Sequence, residues 1–131
     1  MPEPRSDSRY ALILRPTGSF DVVDWPADLT AGLSILAQEF NANAIAALGL
    51  LPCVSMWTNA DATPDTAPLN RFAGEVYCAA GYDDRHYYGA VALTGGIAEA
   101  YTHTGLTLSG CHELLKLAGI DVPTMPKPRT K

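Results

Sequence analysis

The sequence predicts an α+β fold, in which about five mostly antiparallel strands form a sheet packed by three helices. Two observations lead to this prediction. The chain opens with two strand-like segments joined by a Pro–Gly turn, which is the pattern of a β-hairpin. Three later segments have apolar residues at helical spacing, with strand-like segments between them. The predicted order is strand, strand, helix, strand, strand, helix, strand, helix.

The hairpin is predicted from residues 10–15 and 20–25, which are rich in branched and aromatic side chains. Between the two strands, Pro16 presets φ and Gly18 permits a left-handed backbone, as a tight turn requires. Pro26 then ends the second strand.

The first helix is predicted to begin after Asp28, which serves as its N-cap, and to run to about Phe40. Residues 44–51 are ambiguous, because their alanines favour a helix while the segment is short and closed by a proline. We interpret them as a buried strand. Residues 54–58 form another predicted strand, and a polar loop follows over residues 59–68.

The clearest helix pattern lies between Thr66 and Ala80. One stripe at helical spacing contains Leu69, Phe72, Ala73, Val76 and Ala80. Asp65 or Thr66 is predicted to cap this helix, and Pro68 would occupy its first turn. The opposite face contains Arg71, Gly74, Glu75 and Cys78. A glycine and a cysteine are unusual on an exposed helix face, so either a second layer covers it or the helix tolerates two poor residues.

The C-terminal part is predicted to form a strand over residues 87–94, a loop over 97–105 and a last helix. Thr107 is the expected N-cap of this helix and Gly119 its end. Its core face is predicted from the spacing of the apolar residues Leu108, Cys111, Leu114, Leu115 and Ala118.

The composition fits one domain in a chain of 131 residues, 47% of them hydrophobic. We expect a disordered lead over residues 1–9, a globular domain over 10–120 and a basic, proline-rich tail over 121–131. No apolar run is long enough to span a membrane, and the N-terminus lacks a secretory pattern, so a cytoplasmic location is expected. Three cysteines without a CxxC motif indicate free thiols.

The charge is unevenly distributed along the chain. Residues 10–121 contain four basic and twelve acidic side chains, a net charge of −8, whereas the whole chain has −5. An acidic body repels phosphates, so direct nucleic-acid binding is not expected.

Motifs for catalysis or metal binding are weak in this sequence. Cys111, His112 and Glu113, with His103 upstream, suggest zinc, but neighbouring helix residues point about 100° apart and cannot both chelate easily. Gly95 and Gly96 lack the surroundings of a phosphate-binding loop. We therefore predict no metal, no cofactor and no enzymatic activity.

A family resemblance involves the stretch WTNADATPDTAPLNRFAGEVY, followed by YYGAVALTGG and GLT. Together with the opening LRPTGSFDVVDWP, it resembles the domain-of-unknown-function family numbered 3846, over roughly residues 10–108. Members are small proteins found largely in bacteriophages and plasmids. One departure is the sequence after Phe40, where that family usually has a glycine pair. The resemblance implies the fold and a mobile-element setting, and it supplies no catalytic residues.

The leading functional hypothesis is a non-enzymatic interaction protein of a mobile element, whose acidic surface binds a host or phage protein, in particular a basic one. The alternative is a small-molecule or nucleotide-binding module that uses residues 59–71, the loop and helix start. A cysteine- or carboxylate-based enzyme is a third hypothesis with less support. The candidate binding residues are Trp57, Asn59, Asp61, Asp65, Asn70, Arg71, Glu75, Asp83 and Asp84.

Overall fold

The structure, a computed structural model, describes residues 9–51, 53–83, 85–96, 105–125 and 128. Its eight elements follow the predicted order. They are β1 (Tyr10–Leu14), β2 (Phe20–Asp24), α1 (Leu29–Phe40), β3 (Ile45–Leu51), β4 (Val54–Asn59), α2 (Arg71–Ala79), β5 (Val91–Gly95) and α3 (Leu108–Leu117).

The strands form one sheet in the order β2-β1-β5-β4-β3, and every neighbouring pair is antiparallel. The hairpin of β1 and β2 begins the chain, while β5 inserts between β1 and β4. The predicted α+β class, with a five-stranded sheet and three helices, is confirmed.

Helices cover both faces of the sheet. Successive residues of β1 enter different core clusters, because side chains alternate between the faces of a strand. Leu12 and Leu14 pack with Val76 of α2 and Leu115 of α3, whereas Ile13 packs with residues of α1. The central strands β1 and β5 are consequently buried along their whole length.

The ends of α1 and α3 agree with the prediction. The Asp28 carboxylate accepts a hydrogen bond from the Ala31 N–H at 3.3 Å, and the Thr107 hydroxyl accepts one from the Gly110 N–H at 2.9 Å. Asn41 ends α1 in the left-handed conformation, with φ 51°, which asparagine adopts more readily than most residues.

The start of α2 differs from the prediction. The helix begins at Arg71 and its N-cap is Asn70, whose Oδ1 accepts from the Ala73 N–H at 3.1 Å. Leu69 lies outside the helix and is 41% exposed. It pairs with Tyr88 in an isolated bridge, so this extended pairing replaces the predicted first turn. The apolar stripe of this helix predicts that both Phe72 and Val76 are buried in the core. Val76 is fully buried, whereas Phe72 is only half-buried.

Two strand predictions also need correction. The segment over residues 45–51 is a strand, but it is an edge strand with Ala46, Ala47 and Gly49 exposed, rather than a buried one. The strand predicted from residue 87 begins at Val91. Gly89 has a φ of 79°, which interrupts the extended conformation before it.

The segment after α3 continues along the core. Val122 and Met125 pack against the cluster beneath α2 and α3, and a short contact of 2.5 Å joins the Val122 carbonyl to Nε2 of His112. Several predicted segments lie partly outside the described residues: 1–8 of the N-terminal lead, 97–104 of the 97–105 loop, and 126, 127 and 129–131 of the tail. Among the described residues, no helix is long and apolar enough to cross a membrane.

A candidate binding groove beside α2

The start of α2 is held in place by Asn70, which is fully buried. Its Nδ2 donates to the Leu14 carbonyl at 3.1 Å and to the Gly89 carbonyl at 2.9 Å, while its Oδ1 caps the helix. Its backbone N–H donates to the Tyr87 carbonyl at 2.8 Å. One side chain thus connects β1, the segment before β5 and α2. Asn70 was predicted as a binding residue, but its polar atoms are occupied within the protein.

A groove of about 250 Å³ lies between the outward face of α2 and the segment before β5. Its lining residues are Leu69, Asn70, Arg71, Gly74, Glu75, Cys78, Arg85 and His86. Gly74 lies beside the segment that contains Arg85, since a Cβ built on it would be 3.5 Å from the Arg85 carbonyl oxygen. The small residue on this face therefore keeps the groove wide. Cys78 is exposed beside it.

Two arginines make the groove cationic. The Arg71 guanidinium lies 5.8 Å from the centre of the Phe72 ring, and that of Arg85 lies 5.3 Å from the centre of the Tyr87 ring, so each has a cation–π contact. In the part of the chain that the structure describes, neither forms an ion pair with a carboxylate. The groove also contains His86, and Glu75 contributes one carboxylate.

The other two basic side chains of the acidic body are already paired. Arg15 contacts Asp21 at 2.5 Å and Glu39 at 3.5 Å, and Lys116 contacts Glu113 at 3.4 Å. Of these four basic side chains, the two without an ion pair among the described residues, Arg71 and Arg85, are therefore the two that line the groove.

Three tyrosines form a cluster that extends from the end of α2 to the sheet edge. The rings of Tyr77 and Tyr82 stack with centres 4.8 Å apart, and Tyr77 meets Tyr87 edge-on at 5.5 Å. The Tyr82 hydroxyl donates to the Gly49 carbonyl at 3.2 Å. Tyr87 is buried, and its hydroxyl has no hydrogen-bond partner among the described residues. Burial raises the pKa of Tyr87, while the nearby Arg85 charge opposes this rise.

The predicted acidic candidates do not meet in one cavity. The carboxylates of Asp61, Asp65, Glu75 and Asp83 are all exposed. Asp61 lines a cleft of about 300 Å³ between the end of α1 and the loop after β4, whereas Glu75 lines the groove beside α2. Asp84 lies outside the described residues.

Two further candidates have positions set by the sheet. Asn59 ends β4, and its Oδ1 accepts from the Asp61 N–H at 2.9 Å, so it organises the turn into the loop. Trp57 was predicted at a surface beside this loop, but it is 4% exposed. Its Nε1 donates to the Thr94 hydroxyl at 2.9 Å and its ring lies 5.8 Å from that of Trp25. Trp57 is therefore part of the core.

The residues that sequence reasoning missed are Leu69, Arg85 and His86. The sequence does contain one signal for the groove, because Arg71, Gly74, Glu75 and Cys78 share one helix face. What no local pattern indicates is that the segment with Arg85 lies beside this face.

The cysteines have different environments. Cys53 and Cys78 are exposed and Cys111 is buried, where desolvation raises the pKa of the Cys111 thiol to about 12. No group of three or more His, Cys, Asp or Glu side chains that could hold a metal ion occurs among the described residues.

Comparison with protein-family models, curated proteins and solved structures finds no match to this chain. The resemblance to the family numbered 3846 therefore stays a prediction.

Proposed function

We propose that this protein is a non-enzymatic binding module, and that the groove beside α2 receives an acidic side chain of a partner protein. The observation that supports the proposal most directly is that two arginines, Arg71 and Arg85, line one groove. Each has a cation–π contact, and neither has a carboxylate partner among the described residues. Arginine binds carboxylates through two parallel hydrogen bonds, which gives both energy and orientation.

The size of the groove favours a side chain of a partner over a complete small molecule. Pockets for drug-sized ligands usually hold about 300–1,000 Å³, whereas this groove has about 250 Å³. Leu69 lines the groove and is 41% exposed, so it provides apolar surface there. Tyr82, which is 44% exposed, belongs to the tyrosine cluster whose Tyr87 ring contacts Arg85. Apolar and aromatic anchors around a charged contact are typical of protein interfaces.

The sequence indicates the class of partner and the location in which the protein would bind it. The resemblance to a family of phage and plasmid proteins makes a host or phage protein the expected class of partner. A cytoplasmic location is part of the proposal, because three cysteines without a disulfide pattern suit a reducing compartment. The acidic body disfavours nucleic acid as the source of the anionic group.

The test uses random peptides displayed on phage and selected on the immobilised protein. We expect the selected peptides to be enriched in Asp and Glu. Selected peptides should bind the variants Arg71→Gln and Arg85→Gln about tenfold or more weakly, because each substitution removes a charge-assisted hydrogen bond. Affinities measured at about 50 mM and about 300 mM salt should differ for the parent protein.

The matched control is Lys116→Gln, which removes one positive charge from the exposed surface of α3. It should leave peptide affinity unchanged. Selected peptides without acidic residues, or an equal loss in the Lys116 variant, would contradict the proposal for the groove.

A second candidate is the acidic surface itself, which would bind a basic partner. Asp61, Asp65, Glu75 and Asp83 are exposed, and none of them forms an ion pair within the described residues. Opposite charges on a partner would accelerate association and make it depend on salt. The same selection tests this candidate: Lys- and Arg-rich peptides would be selected, and their binding would disappear when these four carboxylates are changed to amides.

A further inference from the structure

Among the described residues, the outer backbone edge of the strand β3 has no strand partner. This strand is the outermost of the sheet, beside β4. One hydrogen bond at its start shows which of its residues bond to β4 and which face outwards. The Ala60 N–H donates to the Ala44 carbonyl at 3.0 Å, so the even-numbered β3 residues bond to β4. The N–H and C=O groups of Ile45, Ala47 and Gly49 therefore point away from the sheet. The bond from the Tyr82 hydroxyl to the Gly49 carbonyl agrees with this direction.

Apart from the Tyr82 hydroxyl on the Gly49 carbonyl, the described residues at this edge lack the features that usually prevent strands from pairing with other chains. Proteins protect edges with charged side chains, prolines or covering segments. The chain has no charged residue between Glu39 and Asp61, and β3 itself consists of small and aliphatic residues. The opposite edge of the sheet differs, because β2 contains Asp21 and Asp24.

A cleft beside the same edge is also uncharged. It lies between α1 and the start of β3 and has a volume of about 360 Å³. Its lining residues are Thr30, Leu33, Ser34, Ala37, Asn43 and Ile45. Small side chains on the flank of α1 leave room for the side chains of an added strand on this face of the sheet.

We propose that a second copy of this chain occupies the edge, with the two β3 strands antiparallel across a twofold axis near Ala47. A twofold contact places the same residues on both sides, and here it pairs two uncharged segments. Contacts between the carboxylate-bearing surfaces of two copies, each with a net charge of −5, would bring like charges together. Pairing centred on Ala47 would form about six interchain hydrogen bonds and join the two sheets into one of ten strands. Two of these bonds would go to the Gly49 carbonyls, whose second lone pair accepts from the Tyr82 hydroxyl.

The side chains at the centre of this pairing are small. Ala47 would face its counterpart, and Ile45 would face Gly49 of the other copy. Two seven-residue strands span only about 24 Å, so the interface is at the small end of specific contacts, and a dissociation constant in the micromolar range is expected. This inference is independent of the groove beside α2.

The test is analytical ultracentrifugation of the full chain from about 10 µM to about 500 µM, a range that brackets the expected dissociation constant. We expect the average mass to rise from that of a monomer to that of a dimer. Ala47→Lys should keep the protein monomeric, because two lysines would oppose each other at the axis. The control Gln38→Lys adds the same charge at an exposed position of α1 and should still dimerise.

A second variant tests the hydrogen bonds themselves. Ala47→Pro removes an outward N–H and keeps every β3–β4 hydrogen bond, since Ala47 does not bond to β4, so it should also be monomeric. If the lysine and proline variants do not fold, the variant Ala47→Cys in a background with Cys53→Ser and Cys78→Ser decides the question. Oxidation should then cross-link two copies. A parent protein that is monomeric at the highest concentration would overturn the proposal. A dimer that survives in the folded lysine or proline variant, or the absence of cross-linking in the cysteine variant, would overturn it as well.

Discussion

Replacing Asn70 with alanine would remove three side-chain hydrogen bonds at once, two of them buried. The helix cap to Ala73 would be lost, which costs about 1 kcal/mol. The carbonyls of Leu14 and Gly89 would each lose the Nδ2 donor, and a buried group without its partner costs about 1–3 kcal/mol. We therefore expect Asn70→Ala to lower the free energy of unfolding by about 3–7 kcal/mol, a large share of the 5–15 kcal/mol of a typical domain.

The assay is urea unfolding followed by tryptophan fluorescence, since Trp25 and Trp57 are 5% and 4% exposed in the folded protein. With a slope of about 1–3 kcal/mol per molar urea, the midpoint should fall by at least 1 M. The control is Asn43→Ala, which changes an exposed asparagine and should alter stability by less than about 0.5 kcal/mol. An equally small effect of Asn70→Ala would refute the role of this residue.

The variant Asn70→Asp separates the cap from the two donated bonds. Its new carboxylate still accepts from the Ala73 N–H, but it has no proton for the two carbonyls. Burial beside carbonyl oxygens should raise the folded-state pKa of this carboxyl above the unfolded value of about 3.9. The folded variant then binds more protons. The difference in stability from the parent should therefore be smallest below about pH 4 and should grow as the pH rises through the folded-state pKa. A difference that does not change with pH would contradict this assignment.

The remaining predictions concern packing and the buried thiol. Gly32→Ala should destabilise by about 1–3 kcal/mol despite better helix propensity, because the new Cβ would lie 2.6 Å from the Trp25 ring. Gly74→Ala should stabilise by about 0.5–1 kcal/mol, since alanine favours the helix and its Cβ would lie 3.5 Å from the nearest atom, the Arg85 carbonyl oxygen. Calorimetry that finds the Gly32 variant more stable than the Gly74 variant would contradict both predictions. Phe72→Ala should cost about 2 kcal/mol, less than a fully buried phenylalanine, and urea unfolding measures the difference. Mass spectrometry after alkylation at about pH 8 should find Cys111 unmodified in the folded protein and modified in denaturant. Burial raises the pKa of Cys111 from 9.0 to about 12. The thiol therefore ionises at a lower pH in the unfolded chain than in the folded protein, and the free energy of unfolding should fall as the pH rises from 9.0 to about 12.

The groove could be anticipated from the sequence only in part. One helix face contains Arg71, Gly74, Glu75 and Cys78, and the sequence places them together because helical spacing is local. Arg85 joins them across a gap of 14 positions, through the pairing of residues near Leu69 and Tyr88. Such a contact depends on which segments meet in the folded chain, so no spacing rule indicates it.

The sequence by itself determined the order of the elements and the ends of α1 and α3. The reason is that caps such as Asp28 and Thr107 act on N–H groups three residues away, and apolar periodicity is likewise a short-range property. Only the tertiary structure decided that α2 begins after Asn70, that Trp57 is in the core and that β3 is an edge strand. Each of these depends on partners far away in the chain: the Leu14 and Gly89 carbonyls for Asn70, the Thr94 hydroxyl for Trp57, and the sheet order for β3. A residue's local pattern cannot specify such partners, because the same strand sequence fits a central or an outer position until its neighbours are in place.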